Sequence, residues 1–471
     1  MIDYTDLYID GDWIAPLGVG RLEVVDPTTE AGYATIPEGS AADVDRAVAA
    51  AKAAFPAWSQ RPPAKRAALL RAVADGIEAR IEELAVAVTH EVGTPLAQSR
   101  ALQVRGGGVG TFTMAAEAAE GYAFEERRGC TVLREPVGVV GAITPWNWPL
   151  NQVGAKVAYA LAAGCTVVLK PSEVAPVNTF VLTEILDAAG FPPGVFNLVT
   201  GLGPVVGERL VEHPDVDMIS FTGSTTAGKR VAAVAAGTVK RVALELGGKS
   251  ANVLLDDADL ATAVPAGVQS CFLNSGQTCS ALTRLLVPRR RLAEVEDLAR
   301  AAAEEFVVGD PFAVDTRLGP LANGSQRDRV RAHVRRGVEE GARLVTGGEQ
   351  PPDGLDRGYF VRPTVFSGVT RDMSIAREEI FGPVLVIMPF EDDDDAVEIA
   401  NSTVYGLSGG VSGSPERAMR VARRMRTGQV RVNNARPMRA APFGGYGQSG
   451  LGREHGPFGL EEFLEVKAVI A

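Results

Sequence analysis

The sequence predicts an α/β protein with two α/β lobes, and three observations lead to this fold class. From Val137 onwards, short β-branched runs alternate with segments of helical periodicity. This alternation is typical of βαβ units, in which a parallel sheet carries helices on its faces. A second region of the same kind follows Asp256 and ends near residue 432. The length of 471 residues suffices for about three domains of ordinary size.

The segment before Val137 is predicted to be mainly helical. Alanine-rich helical periodicity covers residues 40–55 and 65–92. Ser40 and Asp43 have the spacing of a capping box, in which each side chain bonds the other residue's backbone N–H. A polar stretch at residues 120–138 interrupts this periodicity and predicts a hairpin.

Strands are predicted wherever β-branched runs follow Val137. Such runs end in turn residues and are separated by helix-like pattern, as in a parallel sheet. They read GVVGAI (138–143), CTVVLK (165–170), VFNLVT (195–200), VDMISF (216–221), RVALEL (241–246) and SANVLL (250–255).

Composition and charge exclude several classes of protein. Hydrophobic residues at 46% and charged residues at 22% are typical of a soluble globular chain. A net charge of −11 predicts no nucleic-acid partner and no anionic membrane surface as partner. The longest apolar run, residues 157–169, is too short to span a bilayer. Four cysteines without metal-type spacing, and an acidic N-terminus unlike a signal peptide, predict a cytoplasmic protein.

Cys279 is the candidate nucleophile. It lies among small polar residues in NSGQTCS (274–280), far in sequence from the nearest histidines, His213 and His333. A thiol needs a base or an electropositive site to react. Glu245 is the only charge in the apolar part of ALELGGKS (243–250), and a buried glutamate with a raised pKa suits a general base. The alternative is a glutamate at a strand end paired with Lys249.

Three further segments are candidate binding elements, each with a plain structural alternative. Asn147, between two tryptophans in ITPWNWPLN (143–151), could donate to an oxyanion or satisfy a turn. Gly223 and Ser224 in FTGSTTAGK (221–229) could bind phosphate or simply cap a helix. Lys170 and Glu173 in VVLKPSE (167–173) lie where α/β sheets bind ligands, or form a surface salt bridge. LVTGLGPVVG (198–207) lacks the dinucleotide-fold spacing and predicts only a turn.

Taken together, seven motifs resemble the aldehyde dehydrogenase superfamily over nearly the whole chain. They occur in the family's order and at family-like spacing. They are PWNWP, KPSE, FTGSTTAG, LELGGK, GQTCS, EEIFGPV and PFGGYGQSGLGRE.

The resemblance implies the catalytic roles. Cys279 matches the nucleophile, Glu245 the general base and Asn147 the oxyanion donor, while Lys156 matches a lysine tied to proton transfer near the glutamate. The implied reaction is NAD-dependent oxidation of an aldehyde to its acid through a thiohemiacetal and a thioester. Glu245 favours water as the acyl acceptor, since relatives that use coenzyme A generally lack it. A coenzyme A-acylating enzyme and a catalytically idle relative are the alternatives.

The resemblance also implies the cofactor contacts. The implied cofactor is NAD, with NADP possible, and Glu173 favours NAD because a carboxylate repels a 2′-phosphate. The implied contacts are Lys170 and Glu173 at the adenosine ribose, Gly223 and Ser224 at the pyrophosphate, Glu379 at the nicotinamide ribose, Phe381 beside the nicotinamide, and Trp146 and Gly247 nearby.

The family's architecture implies two Rossmann-like lobes and a small β oligomerisation element. Residues 1–120 and 137–247 are expected to bind NAD, residues 248–448 to form the catalytic domain, and residues 121–136 and 449–471 to form the oligomerisation element. A homodimer or homotetramer is therefore expected.

The resemblance implies less about the substrate pocket than about the catalytic and cofactor residues. The implied pocket lies near Trp148, Gln152 and Ala155 and the loop at 434–443, and the small Ala155 suggests room for a larger aldehyde. Arg436 and Arg439 could favour an anionic aldehyde or simply be solvated. Gly447 replaces a lysine that is common in the family, so any contact of that lysine is absent.

Overall fold

The computed structural model describes residues 1–127, 129–436, 438 and 440–470. An eight-stranded sheet forms the centre of what we call the first lobe. Its five middle strands are parallel, and antiparallel strands close both edges. In spatial order the strands are Gly450–Leu451, Arg241–Glu245, Met218–Thr222, Val139–Ile143, Thr166–Lys170, Phe196–Leu198, Leu7–Ile9 and Asp12–Ile14.

A seven-stranded sheet forms the centre of the second lobe. All neighbouring strands are parallel except the first pair. In spatial order the strands are Arg343–Thr346, Thr364–Ser367, Val384–Phe390, Arg284–Pro288, Ala251–Leu254, Ser408–Ser412 and Gln429–Val432.

Both faces of each large sheet are buried by helices. Side chains alternate across a strand, so Val167 and Leu169 pack into one apolar cluster while Val168 packs into another on the opposite face. The longer helices are Ala41–Ser59, Pro63–Ala79, Ile81–Val92, Gly110–Gly121, Pro149–Ala163, Val177–Ala188, Thr225–Ala235, Leu260–Phe272, Leu292–Glu304, Gly324–Glu339, Asp393–Ala400, Pro415–Ala422 and Gly456–Glu461.

An unusual helix precedes the first parallel strand. Ser99–Val109 is a π-helical segment that continues directly into Gly110–Gly121. A Cβ atom added at Gly107 would lie 2.9 Å from the Asn151 Cβ, so glycine lets this segment approach the helix Pro149–Ala163 closely. Widened helical turns of this kind are frequent at functional sites.

Two small sheets complete the described fold. Ile2–Asp3, Ala31–Glu38 and Gly20–Asp26 form one. The other contains the hairpin Glu125–Arg127 and Thr131–Pro136, whose second strand pairs antiparallel with the C-terminal strand Leu464–Val469.

The structure confirms most of the predicted elements. All six β-branched runs contain strands, the polar stretch contains a hairpin, and the Ser40–Asp43 capping box is present. The prediction of an α/β fold with parallel sheets is confirmed. The domain limits drawn from the sequence stay predictions. Within the part of the chain that the structure describes, no helix has both the length and the apolarity needed to cross a bilayer.

Candidate active site

Asn147 lies on the loop between the strand Val139–Ile143 and the helix Pro149–Ala163. Its side chain is buried, and its Nδ2 donates to the Gln277 carbonyl oxygen at 3.0 Å. Trp148 Nε1 donates to Thr278 Oγ1, also at 3.0 Å. Both side chains therefore reach the short segment that leads into Cys279.

Cys279 lies beside two buried carboxyl groups. Its backbone passes so close to Gly248 that a Cβ added there would lie 2.6 Å from the Cys279 carbonyl oxygen. Burial, followed by the nearby charges of Glu245 and Glu379, raises the pKa of the Cys279 thiol well above its ordinary value. The resting thiol is therefore protonated at neutral pH and needs a proton acceptor before it can attack.

Glu245 ends the strand Arg241–Glu245 and is 3% exposed. Neither carboxyl oxygen accepts a hydrogen bond of ordinary geometry from the described residues. Burial and the charge of Glu454 raise the pKa of Glu245 well above its ordinary value, while Lys156 and the Cys279 thiol oppose this shift. A buried carboxylate with free lone pairs beside a thiol suits a general base. The alternative pairing with Lys249 is not observed, since Lys249 Nζ has no hydrogen-bond partner among the described residues.

Lys156 is completely buried on the helix that follows Asn147. Its Nζ donates to Thr222 Oγ1 and to Glu454 Oε1, both at 2.6 Å. Sequence reasoning missed Glu454 as a functional candidate. The available signal was its position as the only acidic residue of PFGGYGQSGLGRE, within a motif already matched to the family.

Lys170 and Glu173 form an ion pair of 2.9 Å at the carboxyl end of the strand Thr166–Lys170. Lys170 is buried and Glu173 is partly exposed. The salt bridge of the alternative interpretation is therefore present. It lies at the end of the sheet where ligands bind in this architecture, so it does not exclude a ribose contact.

Ser224 begins the helix Thr225–Ala235, and its Oγ accepts from the Ala227 N–H at 3.2 Å. This helix start follows the strand Met218–Thr222 at the carboxyl end of the same sheet. Gly223 forms the turn between strand and helix, and a Cβ atom there would meet the Phe221 ring. Backbone N–H groups at such a turn suit a diphosphate.

Glu379 lies across from the glycine pair after Glu245. Its Oε1 accepts from the Gly248 N–H at 3.0 Å, and a Cβ atom at Gly247 would collide with its other carboxyl oxygen. Burial raises the pKa of Glu379. Position 247 therefore has room only for glycine as long as the Glu379 side chain stays in this position.

Phe381 and Trp146 meet edge to face, with ring centroids 5.5 Å apart. Phe381 has a φ of 61°, in the left-handed region that a phenylalanine rarely adopts. Gln326 Nε2 donates to the carbonyl oxygens of Ile380 and Phe381 at 3.1 and 2.7 Å and so supports this turn. Sequence reasoning missed Gln326, which lies more than fifty residues away in the chain.

The departure from the family pattern at Gly447 has a simple structural setting. Gly447 has a φ of 58°, and a Cβ atom there would lie 2.7 Å from the Val404 carbonyl oxygen. Lys229 Nζ bonds the next side chain, Gln448 Oε1, at 3.0 Å. On the substrate side Arg436 is exposed, while Arg439 lies outside the described residues.

Comparison with known proteins agrees with this geometry. The model of the aldehyde dehydrogenase family matches residues 13–469. The chain belongs to the aldehyde dehydrogenase family. A 3-succinoylsemialdehyde-pyridine dehydrogenase from a Pseudomonas species is 55% identical, and the match covers 100% of this chain and 99% of that protein.

Two solved structures that are similar to this chain contain bound ligands. A cysteine-to-alanine mutant of aldehyde dehydrogenase C from Pseudomonas syringae, in complex with NAD+ and octanal, has a TM-score of 0.98 and 52% identity, over 99% of this chain and 96% of that one. Betaine aldehyde dehydrogenase from Staphylococcus aureus, in complex with NAD+, has a TM-score of 0.96 and 36% identity, over 99% and 94%. The predicted family and the predicted NAD-dependent aldehyde dehydrogenase activity are thereby confirmed.

Proposed function

We propose that this aldehyde dehydrogenase uses Cys279 as nucleophile, Asn147 as oxyanion donor and Glu245 as general base. The observation that carries the proposal is their convergence. Three residues from distant parts of the chain meet where the thiol and the unpaired Glu245 carboxyl influence each other's pKa. Asn147 reaches the same segment through Gln277.

Acylation begins when the Cys279 thiol releases its proton to solvent water and the sulfur attacks the aldehyde carbon. A C–S bond forms, and the carbonyl electron pair moves onto the oxygen. The Asn147 side-chain amide and the Cys279 backbone N–H are the proposed donors to this oxyanion. Removal of one such donor typically costs on the order of 10²–10³ in rate.

The cofactor residues fit a dinucleotide. The ion-paired Lys170 and Glu173 lie at the strand end, and Gly223 and Ser224 provide an exposed helix start. The Glu379 carboxyl lies beside Gly247, and the rings of Trp146 and Phe381 pack edge to face. When bound, NAD supplies the acceptor for the hydride that leaves the thiohemiacetal carbon.

Deacylation needs a base that takes a proton from water. Neither Glu245 oxygen has a hydrogen-bond partner of ordinary geometry among the described residues, and the water that this carboxylate deprotonates attacks the thioester carbon. The C–S bond breaks, the acid leaves, and the Cys279 thiolate takes the proton back from Glu245. Lys156 and Glu454 lie close enough to shift the pKa of Glu245 in opposite directions. This supports a role for Lys156 in the proton transfer to and from Glu245.

For the substrate, we infer a neutral aldehyde with a medium-length apolar or aromatic tail. The octanal of one relative's complex and the pyridine-bearing substrate in another relative's name support this class. The small Ala155, buried on the same helix as Lys156, is compatible with it. A panel of octanal, aromatic, trimethylammonio and carboxylate aldehydes tests the inference. Highest kcat/KM on a charged aldehyde contradicts it.

Formation of NADH tests the mechanism. Cys279→Ala is expected to abolish turnover, and Cys130→Ala, which changes a cysteine between the strands Glu125–Arg127 and Thr131–Pro136, is the matched control. Glu245→Gln is expected to retain an initial burst of NADH, followed by a slow steady state. If coenzyme A accelerates the wild-type enzyme and yields a thioester product, water is not the acyl acceptor. Full activity of both variants contradicts the assigned roles.

A cytoplasmic location and a homo-oligomer complete the proposal. All four cysteines are unpaired, which suits a reducing compartment. The C-terminal strand Leu464–Val469 lies at the edge of its small sheet, with Val466 and Val469 exposed. An open apolar edge supports pairing with a second subunit. Sedimentation of the purified protein distinguishes monomer, dimer and tetramer.

A further inference from the structure

Three consecutive left-handed residues lie just before the nucleophile. Asn274, Ser275 and Gly276 have φ angles of 54°, 54° and 72°. Glycine adopts this region freely, and a Cβ atom at Gly276 would collide with the Gly382 backbone. Ser275 has no such freedom, so the surrounding structure must hold this triplet in place.

The triplet is held by buried hydrogen bonds from both of its sides. Asn274 Oδ1 accepts from Thr94 Oγ1 at 2.6 Å, and its Nδ2 donates to the Asn147 carbonyl oxygen at 2.8 Å. Ser275 Oγ donates to the Gly319 carbonyl oxygen at 2.9 Å. Thr94, Asn147 and Asn274 are each only 3% exposed.

Gln103, on the π-helical segment, completes the network. Its Nε2 donates to the Asn147 carbonyl oxygen at 3.1 Å and contacts Thr94 Oγ1 at 3.4 Å. The Asn147 carbonyl therefore has two side-chain donors, one from Gln103 and one from Asn274. The Thr94 hydroxyl contacts both of those donors' side chains.

The network closes a ring next to Cys279. From Asn147 the side-chain amide reaches the Gln277 carbonyl, and the chain leads back from Gln277 to Asn274 and through its side chain to Asn147. Thr94 attaches this ring to the first lobe, while Gly319 anchors Ser275 from the second. Cys279 lies two residues beyond Gln277.

We propose that Thr94 is a positioning residue, which through Asn274 and Gln103 fixes the distance between the Cys279 sulfur and the Asn147 amide. The proposal rests on the catalytic roles proposed above. A misplacement of about 1 Å of a reacting group can reduce a rate about 100-fold, so a single buried hydroxyl at this junction can have a large effect. Among the described residues the Thr94 hydroxyl bonds Asn274 and Gln103, so its action on Cys279 is indirect.

Thr94→Val tests the proposal, because valine keeps the shape and removes the hydroxyl. The expected result is a decrease in kcat of about 10-fold to 100-fold with an unchanged KM for NAD. Thr94→Ser keeps a hydroxyl and is expected to recover most of the rate. Thr183→Val is the matched control, since Thr183 is as deeply buried and its hydroxyl donates to the Thr179 carbonyl of its own helix, at 2.8 Å.

The rate of Cys279 alkylation by iodoacetamide, followed by mass spectrometry, reports on the accessibility of the thiol without requiring turnover. Thr94→Val is expected to increase the alkylation rate at fixed pH several-fold, because the released triplet exposes the thiol. Thr183→Val and Thr94→Ser are expected to match the wild type. An alkylation rate unchanged in Thr94→Val, or a kcat within twofold of wild type, overturns the proposal, as does an equal loss in Thr183→Val. If the wild type oxidises no aldehyde, the proposed function fails while the alkylation comparison still decides the role of Thr94.

Discussion

Glu91 and Glu245 are both fully buried glutamates, yet the structure uses them in opposite ways. Glu91 accepts hydrogen bonds from the Val177 N–H and from the backbone and side-chain amides of Asn178, the latter two at 3.1 and 2.8 Å. It thereby caps the helix Val177–Ala188. Glu245 accepts none of ordinary geometry from the described residues. Burial raises the pKa of both carboxyls, that of Glu91 to about 8.

The difference lies in what occupies the lone pairs. Glu91 accepts three hydrogen bonds from donors that the fold provides, one on Oε1 and two on Oε2, and so stabilises a helix start. Glu245 carries the cost of burial without those donors, and its oxygens remain open to a water or a proton. An unsatisfied buried carboxyl beside a thiol is therefore a better marker of catalysis than a raised pKa alone.

The largest expected effect is a difference in steady-state turnover between variants of Glu245 and of Glu91. Glu245→Gln is expected to reduce steady-state turnover by about 10²–10⁴, since general-base catalysis typically contributes this much. Glu91→Gln is expected to leave kcat within a few-fold of wild type. Steady-state NADH formation with each variant, at equal folded concentration by circular dichroism, checks this. Similar losses in both variants would remove the distinction between a structural and a catalytic glutamate.

The next prediction concerns the neighbours of Glu245. The Glu454 charge raises the pKa of Glu245 and the Lys156 charge lowers it. Because deacylation needs the ionised carboxylate, Glu454→Gln is expected to move the rising limb of the pH–rate profile to lower pH, and Lys156→Met to higher pH. Steady-state kcat of each variant, measured as a function of pH, shows the direction of each shift. Shifts in the same direction would show that the pair acts on folding rather than on Glu245.

A smaller effect is expected on the thiol. After burial, the Glu245 charge is the main cause of the raised pKa of Cys279. Glu245→Gln removes this charge, so the thiolate forms more easily and the midpoint of Cys279 alkylation against pH is expected to fall. Burial persists, and the midpoint stays above that of an exposed cysteine. In Glu91→Gln the midpoint is expected not to move, and a shift there of equal size would contradict the pairing of Glu245 with Cys279.

The smallest effect concerns the stability of the fold. The pKa of Glu91 is raised from 4.5 to about 8 on folding, so between these values the folded state binds more protons than the unfolded state. Stability from this group is therefore lost as pH rises from about 5 to about 8, by at most about 1.4 kcal/mol per pH unit. Urea unfolding at several pH values is expected to show a weaker pH dependence in Glu91→Gln than in wild type. An equal dependence in both proteins assigns it to other groups.

Much of the fold was predictable because its signals are local. Each predicted strand of the first lobe reads as a β-branched run between turn residues, and the Ser40–Asp43 capping box spans four residues. Cys279 and Glu245 were also identifiable from their immediate surroundings, once the order of the motifs had suggested the family. Local pattern thus sufficed where the determining interactions lie within a few residues of one another.

The partners of these residues were not predictable in the same way. Lys156 and Glu454 lie 298 residues apart, and Thr94 and Asn274 lie 180 residues apart. No periodicity or spacing connects such pairs, because only the tertiary packing of distant parts of the chain brings them together. The left-handed Ser275 and the π-helical segment around Gln103 depend on the same packing.

The sequence by itself determined the order of strands and helices, the candidate nucleophile and base, and the resemblance that joined them. It singled out Glu245 through LELGGK, but it did not show which donors surround this carboxyl or that of Glu91, in VTHEVG. Only the tertiary structure decided that helix N–H groups surround one carboxyl while a thiol faces the other. The physical reason is that hydrogen-bond donors reach a buried carboxyl from residues distant in the chain, and their presence or absence determines whether the carboxyl stabilises the fold or takes part in chemistry.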